Sequence, residues 1–201
     1  MFSDDCPGNI AVALIAHCAQ EPVLFIPIYP KSDDRSVMIE ELFTKPILIF
    51  GCGNVLLGDD GFGPAVVEYL LEHFTLPDDV YAVDVGTGIR DLLIDYVLMP
   101  DKPKRIFIVD SICRPMRKPG ELLEVDLSEL GVQKQHDFAV HQFPSTNLLE
   151  ELRSEGGVEV RVLAVQVKAL PEEVRPGISD EVAAAVPRAC EWLLEQVGVD
   201  S

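Results

Sequence analysis

Apolar residues follow two alternating patterns along most of the chain. Residues 47–50 form a continuous apolar run that ends in glycines, a pattern typical of a buried strand in a parallel sheet. A glycine-rich turn follows, and Pro64 then stands in the first turn of a segment with an apolar residue every four positions, which predicts an amphipathic helix. The same patterns predict further strands at 80–83, 105–110, 121–125 and 158–167, and further helices at 89–97, after Asn147 and after Ser179.

Strands that alternate with amphipathic helices predict a parallel sheet with right-handed crossovers. We therefore expect an α/β fold in a single three-layer domain, with a mostly parallel twisted sheet of about five strands and helices on both faces. The regular pattern begins near residue 43, so we assign residues 43–201 to this domain and residues 1–42 to an N-terminal extension. Met38 stands just before the regular pattern, and a translation start at this residue is the alternative to a real extension.

Charge and composition exclude several classes of partner. The 201 residues include 16 Lys and Arg against 34 Asp and Glu, a formal net charge of -18, which opposes binding to nucleic acids and to anionic membranes. The apolar run at 10–16 is too short to span a membrane. The five cysteines include no CxxC pair, which favours reduced thiols in a cytoplasmic protein. No pattern indicates an obligate interface, and we expect a monomer.

Acidic residues follow the predicted strands at the edge where ligands bind in open α/β sheets. Asp59 and Asp60 lie in the glycine-rich turn after the first strand, Asp84 ends the second strand, and Asp110 ends the third. Asp59 alone is explained as a cap of the following helix. For Asp60 and Asp84 a turn-forming role and a metal-binding or catalytic role both remain open at this point.

His141 lies in the segment between the fourth predicted strand and the helix near Asn147, where a long loop in a compact domain suggests function. His136 lies in the same segment but is further from the helix. Two carboxylates and one imidazole form a plausible incomplete coordination sphere for a divalent metal ion. Asp60, Asp84 and His141 therefore form the candidate metal site.

Other catalytic and binding motifs fit the sequence poorly. The third glycine of a dinucleotide-binding fingerprint would stand at position 56, where the chain has Leu56, and the neighbouring aspartates would repel phosphates. A Rossmann-type nucleotide-binding module is therefore a weak alternative. The chain contains neither an HExxH nor a GxSxG motif. Cys52 could be proposed as a nucleophile, but a small residue between glycines is explained by packing.

The glycine-rich turn nevertheless resembles the signature of a known family, the hydrogenase maturation endopeptidases. The resemblance continues through the second strand end, the loop before the helix near Asn147 and the segment before the last helix, and it covers residues 46 to about 198. The matching motifs are Gly51-x-Gly53-Asn54-x-Leu56-x-x-Asp59-Asp60-Gly61-x-Gly63, Asp84-x-Gly86-Thr87, His141-Gln142, and Leu170-Pro171 through Gly177-Ile178-Ser179.

This resemblance implies an aspartyl-type endopeptidase that removes a C-terminal peptide from the nickel-loaded large-subunit precursor of a [NiFe]-hydrogenase. It implies that Asp60, Asp84 and His141 bind nickel carried by the substrate, with no resident cofactor and no nucleotide. Asp rather than Glu at position 60 resembles the branch that serves coenzyme F420-reducing hydrogenases. The substrate-binding loops fall on Gly53, Asn54, Gly86 and Thr87 by motif position.

The resemblance leaves the mechanism of hydrolysis open. Asp60 or Asp84 could act as the general base, or the metal could polarise the carbonyl or activate water. A non-catalytic assembly chaperone that docks on the nickel site would use the same three ligands, and it remains the alternative function.

Overall fold

The computed structural model describes residues 35–127, 146–171 and 173–199. The strands are β1 (Ile47–Cys52), β2 (Val80–Gly86), β3 (Arg105–Ile112), β4 (Leu122–Val125) and β5 (Glu159–Gln166). The helices are α1 (Arg35–Thr44), α2 (Phe62–His73), α3 (Ile89–Leu98), α4 (Thr146–Ser154), α5 (Asp180–Ala183) and α6 (Val186–Val197), and a 3-10 turn covers Gly58–Gly61.

The five strands form one sheet in the order β2-β1-β3-β5-β4. Strand β1 pairs in parallel with both β2 and β3, and β3 pairs in parallel with β5. Strand β4 alone is antiparallel, at the edge beside β5. The predicted mostly parallel sheet of about five strands is confirmed. Because β1, β2 and β3 are parallel and adjacent, the residues at their carboxyl ends lie at the same edge of the sheet.

Alternate residues of β1 face two separate apolar cores, which makes the domain three-layered. Ile47 and Ile49 belong to the cluster that includes apolar residues of α2 and α6. Leu48 and Phe50 belong to the cluster that includes apolar residues of α3 and α4. All four side chains are buried, as expected for a central strand covered on both faces. The predicted arrangement of helices on both faces is therefore confirmed.

One predicted helix start and one predicted helix cap differ from the structure. Asn147 lies inside α4, which begins at Thr146, so it is not the residue that precedes the helix. Ser179 occupies the cap position before the short helix α5, but its side chain makes no capping hydrogen bond. The last predicted helix is also divided into α5 and α6. Local sequence spacing identified these helices but not their boundaries, which depend on contacts with the rest of the chain.

Helix α1 crosses the predicted boundary between residues 42 and 43, and its end contacts the domain. The hydroxyl of Tyr96 donates to the carbonyl oxygen of Leu42 over 2.6 Å, and the rings of Phe43 and Tyr96 lie 5.6 Å apart. The assignment of 1–42 as an extension stays a prediction, because residues 1–34 lie outside the described part of the chain.

Two further sequence predictions concern membrane-spanning helices and the oxidation state of the cysteines. Within the described ranges, no helix is both long enough and apolar enough to cross a membrane. Cys52 and Cys190 are free, buried thiols, whereas Cys113 is disulfide-bonded. The expectation of reduced thiols is therefore wrong for Cys113, because sequence spacing does not reveal cysteines that meet through the fold.

Candidate active site at the carboxyl edge of the sheet

The turn after β1 can form only because glycines allow very close backbone contacts. Gly53 has a φ of 125°, and a Cβ atom placed on it would lie 1.8 Å from the carbonyl oxygen of Asp60. A Cβ atom on Gly63 would lie 2.3 Å from the carbonyl oxygen of Cys52. The start of α2 therefore packs directly on the end of β1. This close packing brings Asp60 back to the end of the strand that precedes it.

Asp60 is almost fully buried, with 2% of its surface exposed. Its Oδ2 accepts a hydrogen bond from the backbone amide of Asn54 over 2.8 Å, and its Oδ1 accepts one from the hydroxyl of Ser111 over 3.1 Å. These two bonds orient the buried carboxylate. Asp60 thus has the hydrogen-bonded support typical of metal-binding carboxylates.

Asp84 lies near the end of β2, where it pairs in register with Gly51 of β1. Its Oδ1 accepts a hydrogen bond from the amide of Gly86 over 2.8 Å. Burial raises the pKa of the half-buried Asp84 carboxyl above its ordinary value; the Gly86 amide opposes this shift and the charge of Glu68 adds to it. A carboxylate with a raised pKa is a stronger base than an ordinary aspartate, which suits a general base.

The two predicted substrate loops are joined to each other. The amide of Gly53 donates to the carbonyl oxygen of Gly86 over 3.0 Å. Asn54 is partly exposed beside this bond, and Thr87 is exposed at the start of the turn before α3. The structure therefore brings Gly53, Asn54, Gly86 and Thr87 together at the edge that carries Asp60 and Asp84.

Cys52 lies among the acidic residues of this edge. Burial raises the pKa of the Cys52 thiol well above its usual range, and the negative charges of Asp110, Asp84 and Asp60 raise it further, in that order. A thiol in such surroundings stays protonated and is a poor nucleophile. Of these carboxylates, Asp84 lies in β2, Asp110 lies in β3 and Asp60 lies in the turn after β1.

Asp59 does not cap the helix that follows it, contrary to the sequence interpretation. Its side chain is 2% exposed and accepts hydrogen bonds from the backbone amides of Lys168, over 2.8 Å, and Ser179, over 2.6 Å. Asp59 thus binds both ends of the segment 168–179. The backbone also joins the middle of this segment to the turn after β1, because Gly58 donates to Arg175 and Arg175 donates to Leu56.

Ser111 is a site residue to which the sequence assigned no role. It is 4% exposed at the end of β3 and donates to Asp60. Its position directly after Asp110 at a strand end was the signal that could have identified it. Serine is so common in loops and turns that this signal is weak without the contact itself.

His141, the third predicted ligand, lies outside the described residues, as does His136. Within the described ranges, no group of three or more His, Cys, Asp or Glu side chains is arranged to hold a metal ion. The structure therefore brings Asp60 and Asp84 to one edge, and the three-ligand assignment stays a prediction.

The backbone amides of the glycine-rich turn are bonded within the protein. The Gly53 amide donates to the carbonyl oxygen of Gly86, and the Asn54 amide donates to the side chain of Asp60. The Leu57 amide donates to the carbonyl oxygen of Asn54, and the Leu56 amide to the Asn54 side chain. The Gly58 amide donates to the carbonyl oxygen of Arg175. A pyrophosphate-binding loop needs such amides to point at the ligand. This bonding argues against the nucleotide-binding alternative.

Comparisons with known proteins agree with these features. The family model described as hydrogenase maturation protease matches residues 64–196. A protein of Methanocaldococcus jannaschii assigned by name to the hydrogenase maturation proteases is 39% identical over 154 residues, covering 76% of this chain and 97% of that protein.

A second relative, from Methanothermobacter thermautotrophicus, is named coenzyme F420 hydrogenase subunit delta. It is 32% identical over 161 residues, covering 78% of this chain and 98% of that protein. Among solved structures, the hydrogenase maturating endopeptidase HybD from E. coli matches with a TM-score of 0.62 and 27% identity, covering 75% of this chain and 91% of that chain.

Proposed function

Because this chain belongs to the hydrogenase maturation protease family, we propose that it removes a C-terminal peptide from the nickel-loaded large-subunit precursor of a [NiFe]-hydrogenase. The observation that carries this proposal is the placement of Asp60 and Asp84 at the carboxyl ends of neighbouring strands, where the Gly53–Gly86 hydrogen bond joins their two loops. Asp60 is buried in the turn after β1 and Asp84 is half-buried near the end of β2, at the edge of the sheet where ligands bind in open α/β folds.

In this proposal Asp60, Asp84 and His141 bind nickel that the precursor already carries. A site with few protein ligands binds a free ion weakly, but it can complete the coordination of an ion held by a partner and so position the bond to be cut. The metal is then the recognition mark on the substrate. This chain supplies the ligands and the hydrogen bonds of Asn54 and Ser111 that orient Asp60.

Asp84 is the better candidate for the general base. It is half-buried, whereas Asp60 is almost fully buried, so water reaches Asp84 more readily. A carboxylate at this position can take a proton from a water molecule that attacks the peptide carbonyl.

The coenzyme F420-reducing hydrogenases are the class of substrate that we propose. The relative from Methanothermobacter thermautotrophicus supports this choice by its name, as does Asp at position 60. We propose that the reaction takes place in the cytoplasm.

The test compares a nickel-loaded large-subunit precursor with the metal-free precursor, following loss of the C-terminal peptide by mass spectrometry. We expect cleavage of the nickel-loaded form only. Equal cleavage of both forms would contradict nickel as the recognition mark. Binding without cleavage of either form would favour the assembly chaperone.

Single substitutions test the ligand assignment in the same assay. Asp60→Asn, Asp84→Asn and His141→Ala should abolish processing while circular dichroism shows a folded protein. His136→Ala is the matched control and should retain activity. If His136→Ala abolished processing and His141→Ala did not, the histidine assignment would be wrong.

A further inference from the structure

The segment Cys113–Gly120, which connects β3 to β4, carries an unusual charge for this protein. We call it the basic loop, because it contains Arg114, Arg117 and Lys118 and no acidic residue in a chain of net charge -18. It begins at the carboxyl end of β3, just after Ser111, whose hydroxyl binds Asp60. The basic loop therefore leaves the sheet at the edge that carries the candidate active site.

Met116 stands at an exposed position of the basic loop with an unfavourable backbone conformation. Its side chain is fully exposed, and its φ of 64° makes it the one non-glycine residue with positive φ among the described residues. It follows Pro115, and proline before a residue of positive φ is the pattern of a type II turn. Such a turn favours glycine at the second of its two central positions, which Met116 occupies here. Since Met116 is not buried in this chain, the stability of the fold does not explain a methionine there.

The base of the basic loop is held firmly by the sheet. Gln166, which is 4% exposed at the end of β5, accepts a hydrogen bond from the Arg114 amide at its side-chain oxygen and one from the Gly120 amide at its carbonyl oxygen, both over 2.9 Å. The carboxylate of Glu121 accepts bonds from the Arg117 side chain and the Lys118 amide. Met116 is therefore presented by an ordered turn, and ordering it on binding costs little entropy.

We propose that the basic loop docks the hydrogenase large-subunit precursor, with Met116 entering an apolar hollow and Arg114 and Lys118 facing an acidic rim on that subunit. This inference rests on the proposed function, and it names a contact outside the Asp60 and Asp84 site. The local charge supports it: Arg117 is bonded to Glu121, but Arg114 and Lys118 still give the basic loop a positive charge on a chain of net charge -18, which would attract an acidic surface. The flexible thioether side chain of methionine adapts well to partner surfaces.

The distance along the chain fits this role. Met116 follows Ser111 by five residues, and five extended residues span at most about 17 Å. A subunit held at Met116 thus lies within one short peptide length of Asp60. Docking at the basic loop would therefore position the bond to be cut without contact between Met116 and the reacting atoms.

The experiment measures KM and kcat for the nickel-loaded precursor, and the direct affinity for the same precursor by biolayer interferometry. Met116→Gly suits the backbone conformation and should leave the unfolding midpoint unchanged or higher. We expect it to raise KM and weaken the affinity about tenfold or more, with kcat unchanged. Met116→Leu should retain the wild-type values, since an apolar side chain of similar size remains.

Leu98→Ala is the matched control. Leu98 is 76% exposed at the far end of α3, which runs from the active-site edge to the opposite edge of the sheet. This substitution removes an exposed apolar side chain elsewhere and should change neither KM nor affinity.

Arg114→Gln combined with Lys118→Gln should weaken the affinity for the precursor at low salt, and the difference from the wild type should shrink at high salt.

The possible results separate the two proposals. Unchanged affinity and KM for Met116→Gly would overturn docking at the basic loop even if the precursor is cleaved normally. An equal loss for Leu98→Ala would also overturn it, because the effect would then be a general one of exposed apolar residues. Failure of the wild type to cleave, with affinity still dependent on Met116, would overturn the proposed function and support the docking surface.

Discussion

Asp59 and Asp60 are adjacent in the chain, yet their buried carboxylates bind different parts of the molecule. Asp59 accepts hydrogen bonds from the backbone amides of Lys168 and Ser179, and so holds the segment before α5. Asp60 accepts hydrogen bonds from the Asn54 amide and the Ser111 hydroxyl at the edge of the sheet. One aspartate of the pair is therefore structural, while the other belongs to the candidate active site.

This difference predicts unequal losses of stability for two neighbouring substitutions. Asp59→Ala leaves two amide donors without their acceptor, and it should lower the free energy of unfolding by about 2–4 kcal/mol. Asp60→Asn keeps an oxygen that accepts from the Asn54 amide, and its side-chain NH2 can donate to the Ser111 oxygen, so it should cost about 1 kcal/mol or less. Urea denaturation measures both, and the larger loss in Asp60→Asn would contradict the division of roles.

Ser111→Ala tests whether the hydroxyl orients Asp60 for catalysis. We expect processing of the nickel-loaded precursor to slow about tenfold, because losing an outer hydrogen bond to a metal-binding carboxylate typically has such an effect. Ser179→Ala is the matched control, since it removes a buried hydroxyl that has no hydrogen-bond partner within the described ranges. Equal rates for the two variants, measured by mass spectrometry of the released peptide, would rule out the positioning role.

Gly53→Ala should disrupt the active-site turn. The added Cβ atom would lie 1.8 Å from the Asp60 carbonyl oxygen at a φ of 125°, so the turn must move and processing should be lost. Gly157→Ala also has positive φ, but its Cβ atom would meet no atom within 4 Å. The control should therefore lose only about 1 kcal/mol of stability and remain active. Processing assays and thermal unfolding of both variants distinguish the effect of a steric clash at the added Cβ atom from that of backbone strain at positive φ alone.

Asp84→Asn should change stability in a pH-dependent manner. Because burial raises the pKa of Asp84 in the folded protein, the native state binds this proton more tightly than the unfolded state. The contribution of Asp84 to the free energy of unfolding is then favourable at low pH, and it is lost as pH rises from the ordinary aspartate pKa to the raised value. Asparagine avoids this loss and keeps an oxygen for the Gly86 amide.

The variant should therefore unfold at higher urea concentration than the wild type at neutral pH, and the difference should vanish below the ordinary pKa of aspartate. Asp101→Asn, at an exposed loop position, is the control for removing one negative charge from the chain. A destabilised Asp84→Asn at neutral pH would show that the charged carboxylate is favoured in the native state.

The sequence by itself determined the α/β class and the strand ends at which the candidate site forms. Burial of β1 on both faces requires a continuous apolar run, and an amphipathic helix requires apolar residues at helical spacing, so both are visible locally. Asp60 lies in the turn after the first strand and Asp84 lies near the end of the second, which placed them at one edge before their contacts were known. The resemblance of the glycine-rich turn then connected them to one activity.

Only the tertiary structure decided which side chains these residues meet. Asp59 binds amides that lie 109 and 120 residues further along the chain, and Asp60 binds a serine 51 residues away. Strand order, the antiparallel edge strand β4 and the exposure of Met116 were equally hidden. Spacing along a chain reflects local periodicity, whereas hydrogen-bond partners and exposure depend on which strands and loops pack side by side, and that order emerges only when the whole sheet forms.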